Sequence, residues 1–303
     1  MFFKNKKPKI SFAVIIYNKK EYINECIDSI LSQNIDKEII CIDDHSTDGT
    51  YEILLEYAKK NKEIKVFRNN ENKGTVYTRC EGLKHASGEY LIMVDADDKV
   101  IGSYNDLYNL AKSNSADIVE FSCETDDEGI WKKALAKENN KICGDLLDAF
   151  YNKKIRNTLC NKLISEKTYK NMRKVINTKV EQTDFSDAVY FIFHMLNNAR
   201  IFISTDKIGY FYYSKRGMTT HISNTERLKQ LCGFIYTKRE LESIYGEMKS
   251  LNNTWNYICN QAVDVYMMLD EKSKKENKYL LYELMSKANA EFLITEVAKE
   301  HQK

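Results

Sequence analysis

Along the first hundred residues two kinds of apolar spacing alternate, and the alternation sets the expected fold. Ile10–Ile16 is a near-continuous apolar run rich in β-branched residues, as expected of a parallel strand covered on both faces. Tyr22, Ile23, Cys26, Ile27, Ile30 and Leu31 then recur at helical intervals and predict a helix over 21–33. Glu38–Ile42 reads as a second strand that ends at Asp43-Asp44. The turn Ser46-Thr47-Asp48-Gly49-Thr50 follows, with Ser46 or Thr47 placed to cap a helix over Tyr51–Lys60. A third strand is expected at Ile64–Phe67, a polar loop at Arg68–Gly74 and a helix over 75–86. After the Ser87-Gly88 turn, Tyr90–Val94 forms a fourth strand that ends in Asp95-Ala96-Asp97-Asp98. This β-α-β-α-β-α-β order predicts an α/β protein whose open, mostly parallel sheet is flanked by helices.

Beyond residue 100 the pattern loosens. Ala116–Ser122 resembles a strand, and 123–141 is a polar excursion without a clear period. Asn161–Met172 and Asp187–Asn198 read as helices, Arg200–Ser204 and Ile208–Tyr213 as strands. From about residue 224 helical periodicity dominates. The expected organisation is one α/β domain over 1–223, with an ordered part at 10–100 and a looser one at 101–223, and a helical C-terminal extension over 224–303. The single proline, Pro8, marks no linker, and no internal repeat is present.

Composition narrows the function classes. With 43% hydrophobic and 30% charged residues, the chain has the makeup of a globular protein rather than a disordered one. A formal charge of +2, with no basic stretch interleaved with aromatics, argues against a nucleic-acid partner. The eight cysteines are scattered and include no C-x-x-C pair, which argues against a zinc site. They read as reduced, buried thiols of a cytoplasmic protein. The N-terminal Met-Phe-Phe-Lys-Asn-Lys-Lys precedes an apolar run too short for a signal peptide and without a small-residue cleavage site. No stretch reaches the roughly 20 apolar residues that span a bilayer.

Candidate chemistry gathers at the ends of the expected strands. Ligands of such sheets bind outside the carboxyl ends of the strands, near a switch in strand order. Tyr17-Asn18, Asp43-Asp44 and Asp95–Asp98 all fall at such ends. Two carboxylates one residue apart, Asp95 and Asp97, offer hard oxygen ligands to Mg2+ or Mn2+, which ordinarily completes its shell with substrate phosphates. An acid at Asp43 or Asp44 can accept charge-assisted hydrogen bonds from a base or ribose. Each group also has an ordinary structural use, as a cap or turn residue.

Taken in order, four blocks resemble family 2 glycosyltransferases of the GT-A (Rossmann-like) fold: Val14–Asn18 (V-I-I-Y-N), Ile42–Thr50 (I-D-D-H-S-T-D-G-T), Asn72–Gly74 with Arg79 and Gly82, and Gly88–Asp98 (G-E-Y-L-I-M-V-D-A-D-D). The resemblance implies that Tyr17 lies beside the uracil, that Asp44 with Asp43 contacts the nucleoside, and that Arg79 faces the nucleotide. It implies that Asp95 and Asp97 form the D-x-D pair, with Asp97 the direct metal ligand and Asp95 nearer the ribose. The proline that the family often carries before Tyr-Asn is absent here. Further on, Cys160-Asn161-Lys162-Leu163 resembles a block of bacterial members that build surface polysaccharides. Phe185–Phe191 resembles the block that carries the catalytic base, which points to Asp187, with Glu181 and Asp184 nearby and Ser186 where a glutamate is more usual. His221 falls where some GT-A enzymes place a loop over the diphosphate, although a lone histidine is more often a surface residue.

The activity so implied is an inverting, metal-dependent transfer of a sugar from a nucleotide-sugar, first a UDP-sugar, to a glycan or lipid-linked acceptor in bacterial surface-polysaccharide synthesis. Two alternatives stay open: a non-catalytic nucleotide-sugar-binding subunit, and a Mg-dependent phosphotransfer protein with Asp43 as nucleophile. The Tyr- and Lys-rich stretch around Lys272–Tyr282 could pack on the first domain, join two copies in a homo-oligomer, or touch the inner face of the membrane peripherally.

Overall fold

The computed structural model describes residues 7–126, 140–176 and 187–216, with scattered positions between 223 and 276. The first part of the chain runs β1 (Ile10–Ile16), α1 (Ile23–Leu31), β2 (Lys37–Asp43), α2 (Thr50–Lys60), β3 (Ile64–Arg68), α3 (Thr75–His85) and β4 (Tyr90–Asp95). These agree with the expected elements to within two residues at each end. β1 is the hub, paired in parallel with β2 on one side and β4 on the other, while β3 pairs in parallel with β2. The order β3-β2-β1-β4 places the switch point between β1 and β4.

The near-continuous apolar character of β1 follows from burial on both faces. Phe12, Val14 and Ile16 pack with Ile23, Cys26, Ile27 and Ile30, the stripe that makes α1 amphipathic. Ala13 faces the opposite layer with Ile40, Ile42 and the α3 residues Val76, Cys80 and Leu83. A Cβ added at Gly82 would lie 3.1 Å from Ala13 Cβ, so the missing side chain lets α3 sit low on the sheet. Cys26, Cys41 and Cys80 are buried thiols, as expected, whereas Cys123 and Cys160 are only partly buried and Cys143 is exposed.

The remaining strands enlarge the sheet with mixed pairing. β5 (Lys99–Val100), α4 (Tyr104–Ser113), β6 (Ile118–Thr125), β7 (Asn140–Cys143), α5 (Leu146–Tyr151), β8 (Lys162–Ser165), α6 (Glu166–Val175), α7 (Asp187–Asn197) and β9 (Ile201–Tyr212) follow in turn. β8 joins β4 and β6 antiparallel, β6 and β9 run parallel, and β5 and β7 both pair antiparallel with β9. The helix expected over Asn161–Met172 divides into β8 and α6. Ser165 is the reason: its hydroxyl accepts from Thr168 N–H and starts the helix there. Lys162 is wholly buried, with its ammonium 2.9 Å from Glu120 on the neighbouring strand. The two strands expected between 200 and 213 form one, β9, with Asp206 and Lys207 exposed mid-strand. Among the described residues no helix is long and apolar enough to cross a membrane.

Candidate active site

The carboxyl ends of β1, β2 and β4 stand side by side because Ile16 is in register with Asp43, and Ile15 with Asp95. The polar block after β2 is a rack for the loop after β1. Asn18 has a left-handed backbone (φ 50°); its N–H donates to Ser46 Oγ and its Oδ1 accepts from Thr47 N–H, both at 2.9 Å. Lys19 N–H donates to Thr50 Oγ1 at 2.9 Å, and Lys20 N–H to Asp48 at 3.0 Å. Ser46 therefore anchors the β1 loop rather than capping α2. Gly49 precedes α2 without a side-chain cap, and the Asp48 carboxylate takes up Thr50 N–H at 2.9 Å. Tyr17, at the mouth of the rack, is 44% exposed.

Asp43 is fully buried, accepting from Ser46 N–H at 3.2 Å with Arg68 Nε also 3.2 Å away. Burial raises its affinity for a proton above that of an ordinary carboxylate, against the pull of Ser46 and Arg68. Asp44 closes the loop after β3: its carboxylate accepts from Lys73 N–H and Gly74 N–H, each at 2.8 Å, and from Asn69 Nδ2 at 2.7 Å. Gly74 is also the N-cap residue of α3, so this carboxylate sits at the positive end of that helix.

The β4 end is organised by cationic side chains. Arg79, buried on α3, places Nη2 2.8 Å from Asp95 Oδ1. Lys19 Nζ lies 2.6 Å from Asp97 Oδ2. Asp98 points inward, accepting from Tyr210 hydroxyl and Tyr213 N–H, both at 2.9 Å. Burial and then the charges of Asp95 and Asp97 push its pKa up to about 8, in spite of those two donors. Tyr213 also donates to Glu25 at 2.5 Å, and Arg216 reaches Glu25 at 2.6 Å while its guanidinium stacks 3.4 Å from the Tyr213 ring centroid. Burial would raise the Glu25 pKa, but Tyr213, Arg216 and Lys99 outweigh it and hold the group at about 2. The strand β9 is thus tied to both α1 and β4.

The donors present suit a hard divalent cation held jointly with a substrate. Among the described residues no three His, Cys, Asp or Glu side chains gather into a cage. Asp95 and Asp97 supply carboxylate oxygens at the sheet edge, and a Mg2+- or Mn2+-type ion usually takes its remaining ligands from phosphate and water. A surface hollow of about 610 Å3 between the end of α1 and the start of α4 is lined by Ser32, Gln33, Asn34 and 100–105. No acid or histidine lines it, so it is set apart from this chemistry.

The fold brings Tyr17, Asp43, Asp44, Arg79, Asp95 and Asp97 to adjoining strand ends and the helix that backs them. Asp187 is the first residue of α7, a helix packed on α5 and α6; its side chain lies outside the described set. Glu181, Asp184, Ser186 and His221 also lie outside the described residues. Sequence reasoning missed Lys19, Glu25, Tyr210 and Arg216. For Tyr210 a signal was available: a tyrosine within a buried strand needs a partner for its hydroxyl.

The sequence model of glycosyl transferase family 2 matches residues 11–175. The poly(ribitol-phosphate) beta-glucosyltransferase of Bacillus spizizenii is 34% identical over 215 residues, covering 69% of this chain and 32% of that protein. The chain therefore spans only about a third of this relative. The cholesterol galactosyltransferase of Borreliella burgdorferi is 31% identical over 268 residues, covering 81% of this chain and 71% of that one. Among solved structures, S. aureus TarS 1–349 in complex with UDP superposes with a TM-score of 0.68 at 19% identity, covering 91% of this chain and 80% of that one. The mannosyltransferase PcManGT from Pyrobaculum calidifontis, in complex with GDP-Man and Mn2+, gives 0.55 at 16% identity, covering 98% and 81%. At these identities the two structures establish likeness of fold.

Proposed function

The chain belongs to glycosyl transferase family 2, and from that premise we propose that it moves a sugar from a UDP-sugar to a hydroxyl of a surface-glycan or lipid-linked acceptor, with inversion at the anomeric carbon. The observation that carries this reading is the pair Asp95 and Asp97 at the end of β4, beside the switch point, with each carboxylate matched to a side-chain cation. The glucosyl- and galactosyltransferase activities of the two bacterial relatives support a sugar-transfer chemistry, and the UDP complex of the TarS fold supports the choice of nucleotide.

In this reading Tyr17 stacks against the base, and Asp43 and Asp44 form the nucleoside end of the site. Asp95, fixed by Arg79, faces the ribose, and Asp97 is the ligand for Mn2+ or Mg2+. The cation, when bound, neutralises charge developing on the departing nucleoside diphosphate. Asp187 takes the proton from the acceptor hydroxyl as its oxygen attacks, a role that needs hydrogen-bond reach in the complex. The rack of Asn18, Ser46 and Thr50 holds the loop that frames the donor, so part of the acceleration is positional. We place the catalytic unit at 1–223, with 224–303 as a helical extension. The phosphotransfer alternative draws little support, because Asp43 is fully buried against Arg68 and Ser46 and is a poor nucleophile there.

The test is nucleoside-diphosphate release from a panel of UDP-, GDP- and dTDP-sugars with Mn2+ or Mg2+, repeated with chelator. Chelator-sensitive release from one UDP-sugar, lost in Asp97→Ala, is the expected result. Silence across the panel, together with no nucleotide binding by calorimetry, would overturn the reading in favour of a non-catalytic protein.

A further inference from the structure

Lys19 was no part of the expected site, yet its ammonium is the charged partner of Asp97 among the described residues. The pair is short, 2.6 Å, and well shielded, with the two side chains 19% and 11% exposed. Its neighbours are engaged otherwise: Asp95 with Arg79, and Asp98 with Tyr210 and Tyr213. The two cations differ in how they are held. Arg79 rises from the body of α3 and is itself buried, so its guanidinium is fixed. Lys19 is fixed only at its root, where its N–H donates to Thr50 Oγ1; beyond that a compact point charge rides on a four-carbon stem.

We propose that Lys19 is an exchangeable counter-ion: it neutralises Asp97 until a divalent cation arrives, then yields that carboxylate and turns its charge to the donor's diphosphate. The inference rests on the reading of Asp97 given above. Exchange leaves no ionised group unpaired, because the incoming cation takes the carboxylate while the displaced ammonium meets the phosphate oxygens that accompany it. The root at Thr50 keeps the ammonium beside the site in both states. Lys19 is thus a positioning residue for the donor, and one with opposite effects on its two ligands.

The test is a pair of titrations on the full chain. In the first, Mn2+ alone is titrated into wild type and Lys19→Met, and free Mn2+ is read by electron paramagnetic resonance. Removing the competing ammonium should tighten Mn2+ binding about fivefold, the order of a partly shielded ion pair. The gain should vanish in the Lys19→Met/Asp97→Ala double variant. In the second, UDP is titrated calorimetrically at saturating Mn2+, and Lys19→Met should bind it about fivefold more weakly. Opposite signs from one substitution support the exchange. Mn2+ binding that is equal or weaker in Lys19→Met, or UDP binding that is equal or tighter, overturns it. A wild type that binds no UDP would instead sink the proposed function, and the Mn2+ titration alone would then judge the exchange.

Discussion

The ends of β2 and β4 carry similar acids and treat them differently. At β2 backbone N–H groups anchor both carboxylates, Ser46 on Asp43 and Lys73 and Gly74 on Asp44, with the Arg68 guanidinium also on Asp43 and the Asn69 amide also on Asp44. At β4 the two outward acids are matched by side chains, Arg79 on Asp95 and Lys19 on Asp97. A backbone donor cannot leave without unfolding its loop, and the buried Arg79 is held by α3, whereas the Lys19 ammonium can rotate away at the cost of a rotamer change. The acids held in the first two ways build the site, and Asp97 is the one available to trade partners. Sequence alone finds both clusters at strand ends; their partners separate them.

Substitutions at both ends can break this distinction. The largest effect is expected on turnover. Asp97→Ala should lower nucleoside-diphosphate release by about a thousandfold or more, roughly 4 kcal/mol, while shifting the melting midpoint little. Asp187→Ala should lose about as much in transfer and yet leave UDP affinity within twofold, as expected of a general base. Full activity in that variant would cancel the assignment. Next comes Asp44→Ala, which leaves two N–H groups and Asn69 without their acceptor. It should cost about 3 kcal/mol of stability by chemical denaturation. If Asp44→Ala melts like wild type and Asp97→Ala does not, the contrast between the two ends is wrong.

A smaller effect comes from a buried group that belongs to neither cluster. His194 on α7 is fully buried, with Nδ1 2.7 Å from the Tyr245 hydroxyl and no partner at Nε2 among the described residues. Burial lowers its pKa to about 3. Because the folded value lies below the unfolded one, this contribution is intact above the unfolded pKa and is lost as pH falls toward the folded value. The slope rises from half of about 1.4 kcal/mol per pH unit at the unfolded pKa toward that full value below it, so about 1.6 kcal/mol should go between pH 6.5 and pH 5. Denaturation of wild type and His194→Gln at both pH values checks this, and parallel losses in the two proteins would refute it.

Three of the four strands of the first hundred residues were legible because burial on both faces of β1, β2 and β4 leaves a local apolar run that needs no distant information. The helices between them were legible from stripes such as Ile23, Cys26, Ile27 and Ile30. β8 was not, because Lys162 in its first position breaks the apolar pattern, and the charge that lets it be buried is that of Glu120, forty-odd residues earlier in the chain, added to nearby Thr158 and Asn161. In the same way the acids could be found by type and position, but their meaning depended on Lys19 and Arg79, which the fold brings to them. The positions were local information and the pairings were not.

The attachment of Asp98 to Tyr210 and Tyr213 has a consequence for anyone recombining such enzymes. A chimera joined near residue 100 would separate a carboxylate held near neutrality from the two donors that tolerate it there. With Glu25 on α1 bound to Tyr213 and Arg216 as well, the β9 exit travels with the first hundred residues as one inheritance. The workable seam for exchanging later segments lies inside the span from β6 to α7, leaving both ends of the chain's polar staple in the same parent.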